Sequence, residues 1–386
     1  MNKALLSLAI GGFGIGLTEF VIMGILPDVA FAFDISIPEA GHFISAYALG
    51  VVVGAPILTG LGSKWPANKV LLALMLWFTV FNTLSAFATS YNSFMIVRFL
   101  SGLPHGAFFG IGAVVAGKLS KEGKEAQGIA IMFSGLTVAN LLGVPLGTYL
   151  GKSFDWSLSF LMVGVVGIIA VLSVKFWMPV LKESSESNFL KEFRIFKRVE
   201  LWLIILLTTI GTGGFFAWYS YISPSITEVA GHSENVVAYA MVLAGLGMVI
   251  GNFVGAKLTE KFAPLNTVTI VLTMMVICLS LNAYLASDKT MILVMTFIIG
   301  LVSFAISTPI QLLIIRSSEG SETLGSSLNQ SAFNTGNASG AYFAGLPIAM
   351  GYGYTSADWV GAAMAATGIL IAIAIYILRN RQAKNT

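Results

Sequence analysis

The chain has 386 residues, of which 56% are hydrophobic and only 10% charged, with mean hydropathy +0.86 and formal net charge +3. Soluble domains carry about a quarter of their residues as charges, so this balance excludes an ordinary globular protein. So small a net charge says nothing about nucleic acid, which is not expected as a partner. The single cysteine, Cys278, lies in an apolar run and excludes an internal disulfide framework or a cysteine-built metal site; no metal and no cofactor is expected.

Twelve apolar segments follow in chain order, at about 4–31, 39–62, 69–89, 93–117, 126–151, 157–179, 200–230, 235–258, 266–286, 290–316, 323–350 and 357–378. At about 1.5 Å per helical residue, such segments cross roughly 30 Å of hydrocarbon. The N-terminus has one lysine, then an apolar run longer than the roughly 15 residues of a signal peptide's core and without a small-x-small cleavage site, so it reads as an uncleaved first span. The breaks between segments are short and polar, except for 181–200 (LKESSESNFLKEFRIFKRVE), the one extended charged stretch. This divides the chain into an N-terminal bundle (1–180), a linker (181–199) and a C-terminal bundle (200–386).

Inside the first segment, GGFGIGLTEFVIMGILP at 11–27, stands Glu19, with no basic residue beside it in the apolar run. A carboxyl in mid-membrane costs about 2–3 kcal/mol to insert, and such groups usually carry ions, protons or substrate. Gly12 and Gly16 form a G-x-x-x-G face that permits close helix packing.

Orientation follows from the basic residues. With both termini cytoplasmic, every lysine and arginine falls in an inside loop or helix end except Lys152 and Lys289 outside and Arg98 within a span. The two halves also repeat: Gly14, Pro27, Gly50 and Gly54 recur at one offset as Gly211, Pro224, Gly247 and Gly251. Two six-helix halves of parallel topology follow, an arrangement that places substrate near the midplane in transporters of this type.

Several stretches carry further chemistry. The fourth segment brings Arg98, Gly102 and His105 onto one helix face at i, i+4 and i+7. Arg98 and Glu19 fall at similar depth, where each unpaired would be expensive. In the fifth, Asn140, Gly143 and Gly147 share a face open to close backbone approach, and Pro145 loosens the helix. In the second half Trp218 and Tyr221 share a face of the seventh segment, Ser307 and Gln311 one of the tenth, and Gln330, Asn334 and Asn337 one of the eleventh. Amides, hydroxyls and rings in stripes suit a polar, uncharged ligand.

The loop TGLGSKWPANKVLL at 59–72 resembles the loop motif of the major facilitator superfamily, with Lys64, Trp65 and Lys69 retained and Ser63 in the place of its aspartate. Its counterpart in the second half keeps an acid and a base, Glu260 and Lys261. The run from Arg98 to Gly102 resembles the family's R-x-x-x-G motif, and the run from Gly143 through Pro145 to Gly147 resembles its antiporter motif, with Val144 interposed. With TEFVIMGILP at 18–27, GAFFG at 106–110 and AFNTG at 332–336, the chain is similar to bacterial arabinose-type sugar efflux permeases of the twelve-span drug/proton antiporter branch. That resemblance implies an all-α membrane protein with the major facilitator fold, twelve transmembrane helices in two pseudo-symmetric halves. It implies a monomer in a bacterial inner membrane, exporting a sugar or sugar-like solute in exchange for protons by alternating access. Glu19, Arg98 and His105 would couple protons, and the loop and fifth-span residues would serve the conformational change. A multidrug or nucleoside exporter, or a proton-independent facilitator, is the alternative. The chain has no H-E-x-x-H, G-x-S-x-G or P-loop, so no enzyme is expected.

Overall fold

The structure is a computed structural model describing residues 2–35, 37–180 and 193–385. The linker expected at 181–199 therefore lies largely outside the described residues. Among those described, eleven helices are long and apolar enough to cross a membrane. Six belong to the first half: Lys3–Gly24, Glu39–Gly62, Ala67–Ser85, Tyr91–Lys118, Glu125–Ser153 and Trp156–Trp177. Val199–Tyr219, Asn235–Phe262, Pro264–Leu285, Lys289–Ser317 and Ser356–Gln382 belong to the second. The remaining segment is also one helix, Glu322–Ala349, with 28 residues, but its serines, asparagines and glutamine dilute its hydropathy. These helices are called the first to twelfth spans in chain order, Glu322–Ala349 being the eleventh.

The helices form two compact units. Unit 1 comprises Met1–Arg194 with Gly320–Ser331, and unit 2 comprises Ile195–Glu319 with Ala332–Thr386. The N-terminal part of the eleventh span thus groups with unit 1. There the Ser327 hydroxyl meets that of Thr59 at 2.6 Å, and Ser331 donates to the Val52 carbonyl at 3.1 Å.

The repeat seen in the sequence is a repeat of helix crossings. In unit 1, a Cβ on Gly50 would strike the Phe99 carbonyl, one on Gly54 the Leu103 carbonyl, and one on Gly102 the Tyr47 carbonyl. In unit 2, Gly247 meets Phe297, Gly251 meets Leu301, and Gly300 meets Ala244 in the same way. Lipid is as apolar as leucine, so such helices associate through close backbone approach rather than through the hydrophobic effect. The Gly12 and Gly16 face is used likewise, against Met132 and Leu136 of the fifth span.

Two expected spans end earlier than their apolar runs. The first stops at Gly24 and restarts as Leu26–Ala32, with proline in its first turn. The seventh stops at Tyr219, followed by the short turn Ile222–Pro224 and a wide turn, Ser225–Val229. A proline has no N–H for the helix ladder, and the repeated Pro27 and Pro224 mark the same break in each half.

Candidate functional site

Unit 1 gathers its buried charge around the crossing of the first, second, third and fourth spans. The fourth span begins with a capping box, in which Ser90 and Ser93 satisfy each other's backbone N–H groups. Two turns further on, Arg98 is fully buried. Its Nη1 donates to Thr18 Oγ1 at 3.0 Å, and its Nη2 reaches the Thr18 carbonyl at 3.5 Å. The Thr18 hydroxyl in turn donates to Asn82 Oδ1, and Asn82 Nδ2 donates to the Phe78 carbonyl at 2.8 Å. Cation, hydroxyl and amide thus line up donor to acceptor across three helices, an arrangement in which each bond polarises the next.

The guanidinium also lies over the Tyr47 ring, 4.4 Å from its centroid, and 5.6 Å from that of Phe160. A desolvated cation over a ring is worth about 2 kcal/mol. The Tyr47 hydroxyl meets His105 Nδ1 at 3.1 Å, and the histidine, 2% exposed, packs on Phe109. Tyr47 therefore bridges Arg98, over the face of its ring, and His105, at its hydroxyl. Beside them Phe33, Phe43, Phe94, Trp156 and Phe160 form a cluster of edge-to-face and tilted ring pairs.

Glu19 follows Thr18 directly and is partly buried. Its carboxyl, Tyr47 and Arg98 lie within electrostatic range of one another. Arg98 directs its hydrogen bonds to Thr18 rather than to the Glu19 carboxylate, so the depth match read from sequence brings the two together without a close ion pair.

In the fifth span, residues 139–143 form a wide turn of the π type, just before Pro145. Such turns absorb a missing N–H and recur at functional sites. Gly143 packs on Phe13 and Leu17, and Gly147 on Val21 and Met162, so this face is filled from within unit 1. Asn140 is buried and donates to its own helix at the Leu136 carbonyl, 3.2 Å away. Gln330, in the part of the eleventh span that groups with unit 1, is also buried and engaged by neighbours.

The remaining polar stripes belong to unit 2. Trp218 is buried against Phe215 and Tyr219. Tyr221 donates to the Ala341 carbonyl at 3.2 Å, joining the seventh and eleventh spans. Ser307, Gln311 and Asn334 are buried, while Asn337 is only partly so. Gln311 and Asn334 are engaged by neighbours. After the second span, Lys64 in the loop and Lys69 in the first turn of the third span are exposed, and Ser63 donates to the Gly60 carbonyl at 2.8 Å. Glu260 is half-buried, and Lys261 Nζ stands 5.1 Å from the Phe262 ring centroid.

Sequence reasoning missed Thr18, Asn82 and Tyr47. Tyr47 had a faint signal: it lies three and seven residues before Gly50 and Gly54, on the face that those glycines bring against the fourth span.

Comparison with known proteins agrees with this architecture. The Major Facilitator Superfamily profile matches residues 8–341. AraJ of Escherichia coli is 42% identical over 354 residues, covering 92% of this chain and 90% of that protein. The inner membrane transport protein YdhP of Escherichia coli is 40% identical over 371 residues, covering 96% and 95%. Among solved structures, the major facilitator transporter FucP superposes with TM-score 0.78 over 96% of this chain and 98% of its own, at 15% identity, a likeness of fold alone. The chain is a multi-pass membrane transport protein rather than an enzyme, and it belongs to the major facilitator superfamily.

Proposed function

We propose that this protein exports a small organic solute, a sugar or sugar-like compound, in exchange for protons by alternating access. It would do so as a monomer in a bacterial inner membrane with both termini cytoplasmic, using two six-helix bundles (1–180 and 200–386) joined by the linker 181–199. The observation that carries this reading is the carboxyl of Glu19 beside Arg98 and Tyr47. A carboxyl within hydrocarbon is stable protonated, or ionised near a cation. Because Arg98 gives its hydrogen bonds to Thr18, it stands near the carboxyl without locking it in a pair. Such a group can alternate between the two forms.

Among the described residues Tyr47 links His105 to Arg98, so we assign the histidine the modulating role in coupling. The sugar's hydroxyls are suited by Asn140, Ser307, Gln311, Gln330, Asn334 and Asn337, and its apolar face by Trp218 and Tyr221. Ser63, Lys64, Lys69, Gly143, Pro145, Gly147, Glu260 and Lys261 would serve the conformational change.

Purified protein in lipid vesicles loaded with a pH-sensitive dye tests the proposal. An outward gradient of L-arabinose, or of another member of a sugar panel, should drive proton movement, and Glu19→Gln should abolish it while the protein remains folded. Undiminished proton-linked flux in Glu19→Gln would overturn the assignment of Glu19. Flux with no proton movement in the wild type would overturn the coupling.

A further inference from the structure

Unit 2 holds a second buried carboxyl, outside every motif discussed above. Asp358 is 1% exposed, in the first turn of the twelfth span, and Asn282 of the ninth span is likewise 1% exposed. Asn282 Nδ2 donates to Asp358 Oδ1 at 2.9 Å, while Asn282 Oδ1 is buried without a hydrogen-bond partner. The neighbouring rings of Tyr284 and Trp359 meet edge to face at 5.4 Å between the two helices.

The pseudo-equivalent positions in unit 1 sharpen the problem. Asn82 stands three residues before the end of the third span, as Asn282 stands three residues before the end of the ninth, and its Oδ1 is served by the Thr18 hydroxyl. At the repeat offset, Thr18 corresponds to Phe215, which has no donor to give. The acid differs too. An Asp–Trp pair opens the last helix of each half, but Asp155 stands exposed and caps its helix by accepting from the Ser157 N–H at 2.8 Å. Asp358 is instead buried.

The surroundings offer Asp358 no counter-charge. Among the described residues, the only side chain hydrogen-bonded to it is Asn282. The ninth span contributes Cys278 and Tyr284 as titratable groups and no charge, and the seventh contributes Tyr219 near its end. The cations of the twelfth span, Arg379 and Arg381, lie six turns away, and Arg379 pairs with Glu200. Helix-start amides favour a carboxylate at this position, but burial without a counter-charge opposes it more strongly.

We propose that Asp358 carries its own proton and donates it in a hydrogen bond to Asn282 Oδ1, closing a neutral acid–amide pair between the ninth and twelfth spans. Rotating the Asn282 amide exchanges its oxygen and nitrogen without supplying the missing donor, so either orientation calls for the same proton.

Infrared spectroscopy of the full chain in lipid vesicles at neutral pH tests the assignment. In the Glu19→Gln background, which removes the carboxyl of the first span, a protonated-carboxyl C=O stretch is expected. It should vanish in Glu19→Gln/Asp358→Asn. No such band in Glu19→Gln, or an equal band in the double variant, overturns the proposal. If Asp358→Asn does not fold, Asn282→Ala leaves the acid in place. The band should then move to higher frequency as its partner is lost, and an unmoved band would overturn the pair.

Discussion

The two units cross their helices in the same way and load the crossing differently. In unit 1, Gly102 lies on the Tyr47 carbonyl, with Arg98 one turn before it. In unit 2, Gly300 lies on the Ala244 carbonyl, and the place of Arg98 is taken by Thr296, whose hydroxyl donates to its own helix at the Ile292 carbonyl. Thr18 and Glu19 likewise correspond to Phe215 and Phe216. A duplicated scaffold needs its glycines in both copies, because backbone carbonyls approach there in both. The charge is needed in one. Structure is therefore symmetric where packing decides it and asymmetric where chemistry does.

The largest expected effect tests the symmetric part. Gly102→Leu and Gly300→Leu each force a side chain into a backbone carbonyl, and overpacking of this kind costs about 3 kcal/mol. Both should lower the thermal midpoint in detergent by similar amounts; an unaffected Gly300→Leu would break the equivalence of the crossings. The asymmetric part is tested by Arg98→Met against Thr296→Met. Losing a charged hydrogen bond worth about 1.5–3 kcal/mol should reduce transport roughly tenfold or more in Arg98→Met, while Thr296→Met stays near wild type. Arg98→Lys should recover part of the loss, since the charge remains without the planar fork.

The relay comes next in size. Asn82→Ala removes the acceptor of the Thr18 hydroxyl and should cost about 1–2 kcal/mol in unfolding experiments. The smallest effect is expected from Tyr47→Phe, which loses the contact to His105 and keeps the ring beneath Arg98. About 0.5–1 kcal/mol is anticipated. In a double-mutant cycle with His105→Ala, that loss should disappear.

The span pattern, the repeat and the charges of the first and fourth spans were legible in the sequence because each is an exception to its surroundings. Glu19 and Arg98 interrupt apolar runs, and four residues recur at one offset. Thr18 and Asn82 were not legible. Hydroxyls and amides are common in membrane helices, where most serve as local hydrogen-bonding groups, and these two meet only because helices 64 residues apart in sequence lie side by side. Asp358 was hidden by its position at the start of a helix, where an acid ordinarily faces water. The eleventh span read correctly as a helix despite its polarity, but its division at Ser331 between two units depends on packing that no periodicity encodes.

The hydrogen-bond relay also has a mechanical consequence. Arg98, Thr18 and Asn82 lie on three different helices, and Tyr47 adds a fourth through its ring. Sliding any one of these helices past its neighbours would strip a buried cation of its donors' acceptors, at about 1.5–3 kcal/mol for each charged bond lost. Shear within this cluster is therefore slow and rare. Displacements of the first four spans at this level are concerted, carried as a single stiff body, and the chain departs from regular helix beside it: at the break after Gly24 and, in the neighbouring fifth span, at the wide turn at residues 139–143.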